Sequence, residues 1–183
     1  MKVQERREAG YSLAEMLVVI AIIGLLALVT VPSFITFYQS NKMKTSMRNF
    51  TTDLRSIRQM AITKGVQMQL SYGTGTTQNS YDFYQGNKPF SSTTWTQLTG
   101  PGRNLSTRVL DNVVYFPANA ANTPQTFTDL DGNSTLDVIF SPDGRVSLPS
   151  GVAIGTITIK TDMKIPRSQY TITISPSGRV LAQ

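Results

Sequence analysis

The side chains able to do chemistry in this 183-residue chain are few. There is no His and no Cys. That removes the commonest general base, the commonest transition-metal ligand, the thiol nucleophile and the Ser-His-Asp arrangement. Hydrolysis would have to run on carboxylates. One stretch gathers them: TDLDGNSTLD (128–137) holds Asp129, Asp131, Asn133 and Asp137. An oxygen-rich loop of this kind is a weak Ca²⁺ candidate. Gly132 stands fourth from Asp129 rather than sixth, and no Glu closes the loop, so EF-hand spacing is not met. A solvated turn rich in Asx residues explains the same pattern. The residue balance therefore points away from an enzyme and calls for no cofactor.

A second chemically pointed residue is Glu15. It lies near the start of an apolar run, Met16 to Val31, interrupted only mildly by Gly24 and Thr30. A lone carboxylate in hydrocarbon costs about 2.5–3.5 kcal/mol on insertion scales. The run approaches spanning length once Leu13, Ala14 and the residues to Tyr38 are added. No small-residue cleavage site follows it, as an ordinary secretory signal requires. The small residues come before it instead, as Ala9 and Gly10. Cleavage between Gly10 and Tyr11 would keep the whole apolar helix and expose a new amine four residues from Glu15.

These residues carry a resemblance. GYSLAEMLVVIAIIGLLALVTVPSF (10–34) resembles the class III signal of type IV pilins and type II secretion pseudopilins. The resemblance implies cleavage after Gly10 by prepilin peptidase and N-methylation of Tyr11. It puts Glu15 at the fifth position of the mature chain and Pro32 at the helix-kinking position. Tyr11 stands where the family usually has Phe, and keeps the aromatic ring. It also implies an inner-membrane protein with one span, in contact with lipid, whose globular part is periplasmic. In a filament core the Glu15 carboxylate would meet the terminal ammonium of a neighbouring subunit. Such pairing offsets the burial of both charges and fixes axial register.

The elements that must position these residues follow from hydrophobic period. Met43, Met47, Phe50, Leu54, Ile57 and Ala61 recur at steps of four and three, one stripe of an amphipathic helix. Gly65 after Lys64 is a helix stop. A nearly continuous helix from Tyr11 to Lys64 is expected, bent or locally opened at Pro32. Beyond it the period becomes two. Val66, Met68, Leu70 and Tyr72 alternate with Gln67, Gln69 and Ser71, which predicts a half-buried strand. Further strands are expected in 81–86, 106–116, 136–148, 152–161 and 168–182, with loops over 73–80, 87–104 and 117–135. Buried faces are expected at Ile154, Ile157, Ile159, Tyr170, Ile172 and Ile174. The organisation is a leader (1–10), a membrane and filament-core helix (11–38), an amphipathic helix half (39–64) and a β-rich domain (65–183). The fold class is α+β: one long N-terminal helix packed on antiparallel sheets.

Charge is unevenly spread. The net +6 comes mostly from residues 38–64, where six Lys and Arg face Asp53 alone, a net +5. This helix is expected to present a solvated face, or one turned to acidic lipid or neighbouring subunits.

One internal echo narrows the resemblance. FSPDGRV (140–146) returns as ISPSGRV (174–180). Each reads as a tight hairpin turn with a Gly bulge, and sets Arg145 and Arg179 up to share a surface. A long helix, strands and this pair of turns are similar to the GspH/FimT family of minor pseudopilins and minor pilins. That resemblance implies a structural subunit that starts or caps a type IV pilus or a type II secretion pseudopilus, with other pilins or pseudopilins as partners. The alternative is a DNA-uptake or adhesive minor pilin. Lys160, Lys164, Arg167 and Arg179 are its candidate DNA or partner contacts. A tail with one Arg followed by apolar residues is a poor phosphate-tracking surface, which disfavours it.

Overall fold

One helix, α1 (Leu13–Lys64), carries both the apolar run and the amphipathic stripe. The computed structural model describes residues 11–75, 78–99, 107–130 and 134–183. At the start of α1 the Ser12 carbonyl accepts the Glu15 and Met16 N–H groups at 3.0 and 3.2 Å. Ser12 and Glu15 stand in the S-x-x-E order of a capping box, and a carboxylate suits the positive end of the helix dipole. The helix runs through Pro32, which removes the donor that would bond the Leu28 carbonyl. Thr36 Oγ1 donates to the Pro32 carbonyl at 3.1 Å. Gly65 ends the helix at φ 68°, its N–H bonded to the Ala61 carbonyl. That left-handed position costs a side-chain-bearing residue about 1 kcal/mol and glycine nothing comparable.

The chain divides between Tyr38 and Gln39. In the first unit the helix is apolar and exposed, long and apolar enough to cross a membrane. In the second unit nine strands follow the helix among the described residues: β1 (Met68–Tyr72), β2 (Ser80–Gly86), β3 (Trp95–Gln97), β4 (Arg108–Val109), β5 (Leu136–Phe140), β6 (Val146–Ser147), β7 (Gly155–Lys160), β8 (Gln169–Ile174) and β9 (Val180–Ala182). The first six form one sheet in the order β3-β2-β1-β5-β6, with β4 also on β2; the last three form a second sheet, β7-β8-β9. Every pairing is antiparallel. The predicted stripe lies in the core: Met43, Phe50, Leu54, Ile57 and Ala61 are buried, and Met47 packs beside them. They meet Met68, Leu70, Tyr72, Phe83, Val138 and Phe140 of one sheet and Ile157, Ile159, Ile172 and Ile174 of the other. Phe50 makes edge contacts with Tyr81 and Phe116, at centroid distances of 4.9 and 5.1 Å.

Four expectations change. β1 is not half-buried, because Gln67, Gln69 and Ser71 are as enclosed as the apolar residues between them. The described part of the 106–116 segment is strand at Arg108–Val109 and bridges at Tyr115, rather than one continuous strand, because it turns at Asn112 and Val113. The Val114 N–H closes that turn on the Asp111 carbonyl. Trp95–Gln97 is a strand inside the expected loop, since an edge strand with one partner needs no apolar alternation. Ile154 is exposed, because β7 starts after it, at Gly155.

Candidate processing and assembly site

Glu15 sits in the first turn of α1, and Tyr11 and Glu15 are both exposed. Gly10 lies outside the described residues. The cut that the sequence suggests would thus leave a new amine beside the positive end of a helix, with the first-turn carboxylate one turn away. An amine there would gain from a nearby carboxylate, and the Glu15 side chain is exposed.

In the second unit the two echoed turns form as expected. The Gly144 and Gly178 N–H groups close on the Ser141 and Ser175 carbonyls at 2.9 and 2.8 Å, with the glycines at φ 78° and 76°. Sequence reasoning did not reach their meeting. The Val146 N–H donates to the Pro176 carbonyl at 3.1 Å. A Cβ on Gly178 would fall 2.1 Å from the Gly144 carbonyl oxygen. Arg58 of α1 then bonds both turns: Nε to the Gly144 carbonyl at 2.9 Å and Nη2 to the Ser177 carbonyl at 3.1 Å. Arg55 Nη2 donates to the Val180 carbonyl at 3.2 Å. The repeated motif thus builds a joint where the helix ties one hairpin of each sheet. Its sequence signal was the motif's recurrence together with basic residues spaced along the helix.

The basic helix half is accordingly not a free cationic face. Lys42 pairs with Asp111 at 3.3 Å, and Lys64 donates to Gln85 Oε1 at 2.8 Å. With Arg55 and Arg58, four of its six cations hold the β-domain.

Of the four cations proposed as DNA or partner contacts, Lys160, Lys164 and Arg167 lie at one end of the β7–β8 hairpin and Arg179 at the other. Lys160 ends β7 opposite Gln169, and Arg167 stacks on Tyr170 at 5.1 Å, near the start of β8. Lys164 lies in the connection between those two strands. Arg179 follows the turn at the other end of β8, roughly 17 Å away along a strand rising 3.3–3.4 Å per residue. Lys160 also stands 4.0 Å from Asp162, which accepts from the Tyr115 hydroxyl at 2.7 Å. Burial first, then that hydrogen bond and the Asp162 charge, raise the Tyr115 phenol to about 12.

In the acidic stretch, Asp131 and Asn133 lie outside the described residues. Asp137 is buried in β5, directly opposite Ser71 of β1 in the same sheet. Its Oδ1 accepts from Gln69 Nε2 at 2.7 Å and from the Ser71 hydroxyl, and its Oδ2 from the Leu130 N–H at 2.8 Å. Asp129 Oδ2 accepts from the Ser134 N–H at 2.7 Å. Both carboxylates thus hold loop backbone. The enclosed polar side of β1 is explained too, since Gln69 and Ser71 are donors to a buried acid.

A long N-terminal helix with an apolar exposed start, packed on two antiparallel sheets, defines a pilin-type subunit. Residues 6–31 match the prokaryotic N-terminal methylation motif, and residues 46–178 match the family model described as type II transport protein GspH. The chain belongs to the GspH family. Two solved structures of the minor pseudopilin EpsH from the type 2 secretion system of Vibrio cholerae share its fold, each with a TM-score of 0.50, at 15% and 14% identity. Each alignment covers 78% of this chain and 96% of the other. No curated protein sequence matches the chain.

Proposed function

We propose that the protein is a minor pseudopilin of a type II secretion system, made as a precursor and cut after Gly10. The new terminal residue, Tyr11, is methylated by prepilin peptidase. The helix from Tyr11 to Tyr38 holds the chain in the inner membrane with its β-domain in the periplasm. On assembly, Glu15 pairs with a neighbour's terminal amine, Pro32 lets the helix bend, and the β-domain contacts other pseudopilins to start or cap the pseudopilus. The observation that carries this reading is the joining of a methylation motif at residues 6–31 to a GspH-type domain at residues 46–178.

Deletion of the gene followed by separate tests of protein secretion, twitching and DNA uptake checks it. The expected outcome is loss of secretion alone. Glu15→Gln should leave membrane insertion intact and impair incorporation into the filament. Normal incorporation of that variant would remove the pairing role.

A further inference from the structure

Four of the six cations on the second half of α1 hold the β-domain, which leaves Lys44 and Arg48. Both are exposed, and neither makes an ion pair or hydrogen bond among the described residues. With Thr52 they follow at four-residue steps along one helix face. Thr52 in turn lines an open pocket of about 220 Å³, together with Asn49, Asp53, Tyr81, Arg108 and Val109. Inside it the Tyr81 hydroxyl donates to Asp53 Oδ2 at 2.7 Å. Arg108 Nε stands 3.8 Å from the same oxygen, within ion-pair range but too far for a hydrogen bond. That Nε is buried and has no hydrogen-bond partner among the described residues, while the Arg108 side chain as a whole is 43% exposed. The enclosed Nε faces Asp53, and the exposed remainder of the guanidinium at the wall of an open pocket is what a carboxylate entering from outside would meet.

We propose that Lys44, Arg48 and Arg108 form a docking strip for a carboxylate-bearing face of a different pilin-type subunit. The proposal rests on the reading of the chain as a pseudopilus subunit and names the chemistry of its partner. A second copy is a poor occupant. Removal of residues 1–10 takes three cations and two carboxylates from a chain of net +6, leaving +5 on side chains. In the second unit, these described carboxylates of a copy are also engaged: Asp82 by Gln97 and Thr107, Asp111 by Lys42, Asp143 by Arg145 and Asp162 by Tyr115. The recessed Arg108 selects a projecting side chain over the plane of a lipid surface.

Zero-length carbodiimide coupling tests this, because it joins an amine only to a carboxylate in direct contact. The full-length protein is treated in membranes of cells that carry the whole secretion system, and adducts are read by mass spectrometry. The expected product links Lys44 to an Asp or Glu of a different pilin-type subunit. Lys44→Arg should abolish the link, because a guanidinium does not couple under carbodiimide. Arg48→Glu should lower its yield about five- to tenfold. Lys44→Glu with Arg48→Glu should lower secretion with the melting temperature of the protein unchanged. Coupling of Lys44 to a second copy, or an unlinked Lys44 where exposed Lys164 is modified, would overturn the strip. So would protection of Lys44 from acylation by phosphatidylglycerol nanodiscs and not by the other subunits. If deleting the chain leaves secretion intact, the pseudopilus reading itself fails. If secretion needs the chain but tolerates the double reversal, only the strip fails.

Discussion

Arg58 gives one side chain to two carbonyls, one in each of the echoed turns. A hydrogen bond from a charged group contributes about 1.5–3 kcal/mol, and partial exposure puts these toward the lower value. Arg58→Ala should therefore destabilise the protein by about 2–3 kcal/mol in urea unfolding, and Arg58→Lys should recover less than half, since one ammonium cannot span both carbonyls. The glycines give a sharper contrast. Gly65 and Gly178 have similar φ, 68° and 76°, but a Cβ on Gly65 meets nothing within 4 Å while one on Gly178 strikes the Gly144 carbonyl. Gly65→Ala should cost about 1 kcal/mol and Gly178→Ala about 3 kcal/mol or more, measured in the same unfolding series. Titration offers a further test. Burial and then the Asp53 charge push the Tyr81 phenol well above its ordinary 10.0; burial and the Asp137 charge do the same for Tyr72, and Tyr115 rises to about 12. A raised folded-state value favours the protonated, folded form. Its contribution is whole below pH 10 and is lost as pH climbs through the folded value. Stability should fall as pH rises from about 10 toward 12. Tyr115→Phe should flatten part of that fall in melts taken across the range. What the sequence made legible here follows the range of each interaction. The twin turns were readable because Pro, Gly and a four-residue closure are local. Their joint at Arg58 was not, because it depends on contacts 86 and 119 residues away.

Among the elements, the outer edge of β7 shows how this fold controls an exposed strand. Gln125 is buried and uses its side-chain amide as a strand would use a peptide. Its Oε1 accepts the Thr158 N–H at 3.1 Å, and its Nε2 donates to the Thr158 carbonyl at 2.8 Å and the Pro117 carbonyl at 3.1 Å. The Tyr72 hydroxyl reaches the same Oε1 at 3.3 Å. Gln125→Ala would strand two backbone groups of a fully buried residue, and should cost about 3–5 kcal/mol at about 1–3 kcal/mol per unsatisfied group. Denaturant unfolding measures the loss. Light scattering should also rise, since an uncovered edge is open to pairing with other chains. The helix stripe was plain in the sequence because a period near 3.6 admits few other readings. Alternation in β1 was also plain, but it cannot say what covers the polar face. Nor can it say that Asp137, 66 residues from Ser71 and beside it in β5, is the acceptor that lets Gln69 and Ser71 be buried. The long loop from 117 to 135 gave no hint that one glutamine in it acts as strand pairing, since its pattern is that of any polar turn region.

At the scale of the whole molecule, the division between Tyr38 and Gln39 separates two kinds of surface. Before it the described large apolar side chains are exposed; after it the core begins at Met43 and closes with Val180. Every residue of that core, and every cation that ties the helix to the sheets, lies after the division. The same holds for the twin turns and the Gln125 edge. The described core, whose burial drives folding, thus uses residues of the second unit. A chain of residues 39–183 should therefore fold alone, stay soluble without detergent and unfold in one cooperative step. Its melting temperature should lie within about 2–4 °C of the full protein in detergent, the shift that about 1 kcal/mol produces at this size. Circular dichroism and calorimetry on both forms make the comparison. Under the proposed function the truncated form should not restore secretion to a deletion strain, because the anchor and the pairing proposed for Glu15 lie in the part removed. A truncated chain that fails to melt cooperatively would mean that the first unit contributes to the stability of the second, and the domain could not then be treated as an independent head on a filament-forming helix.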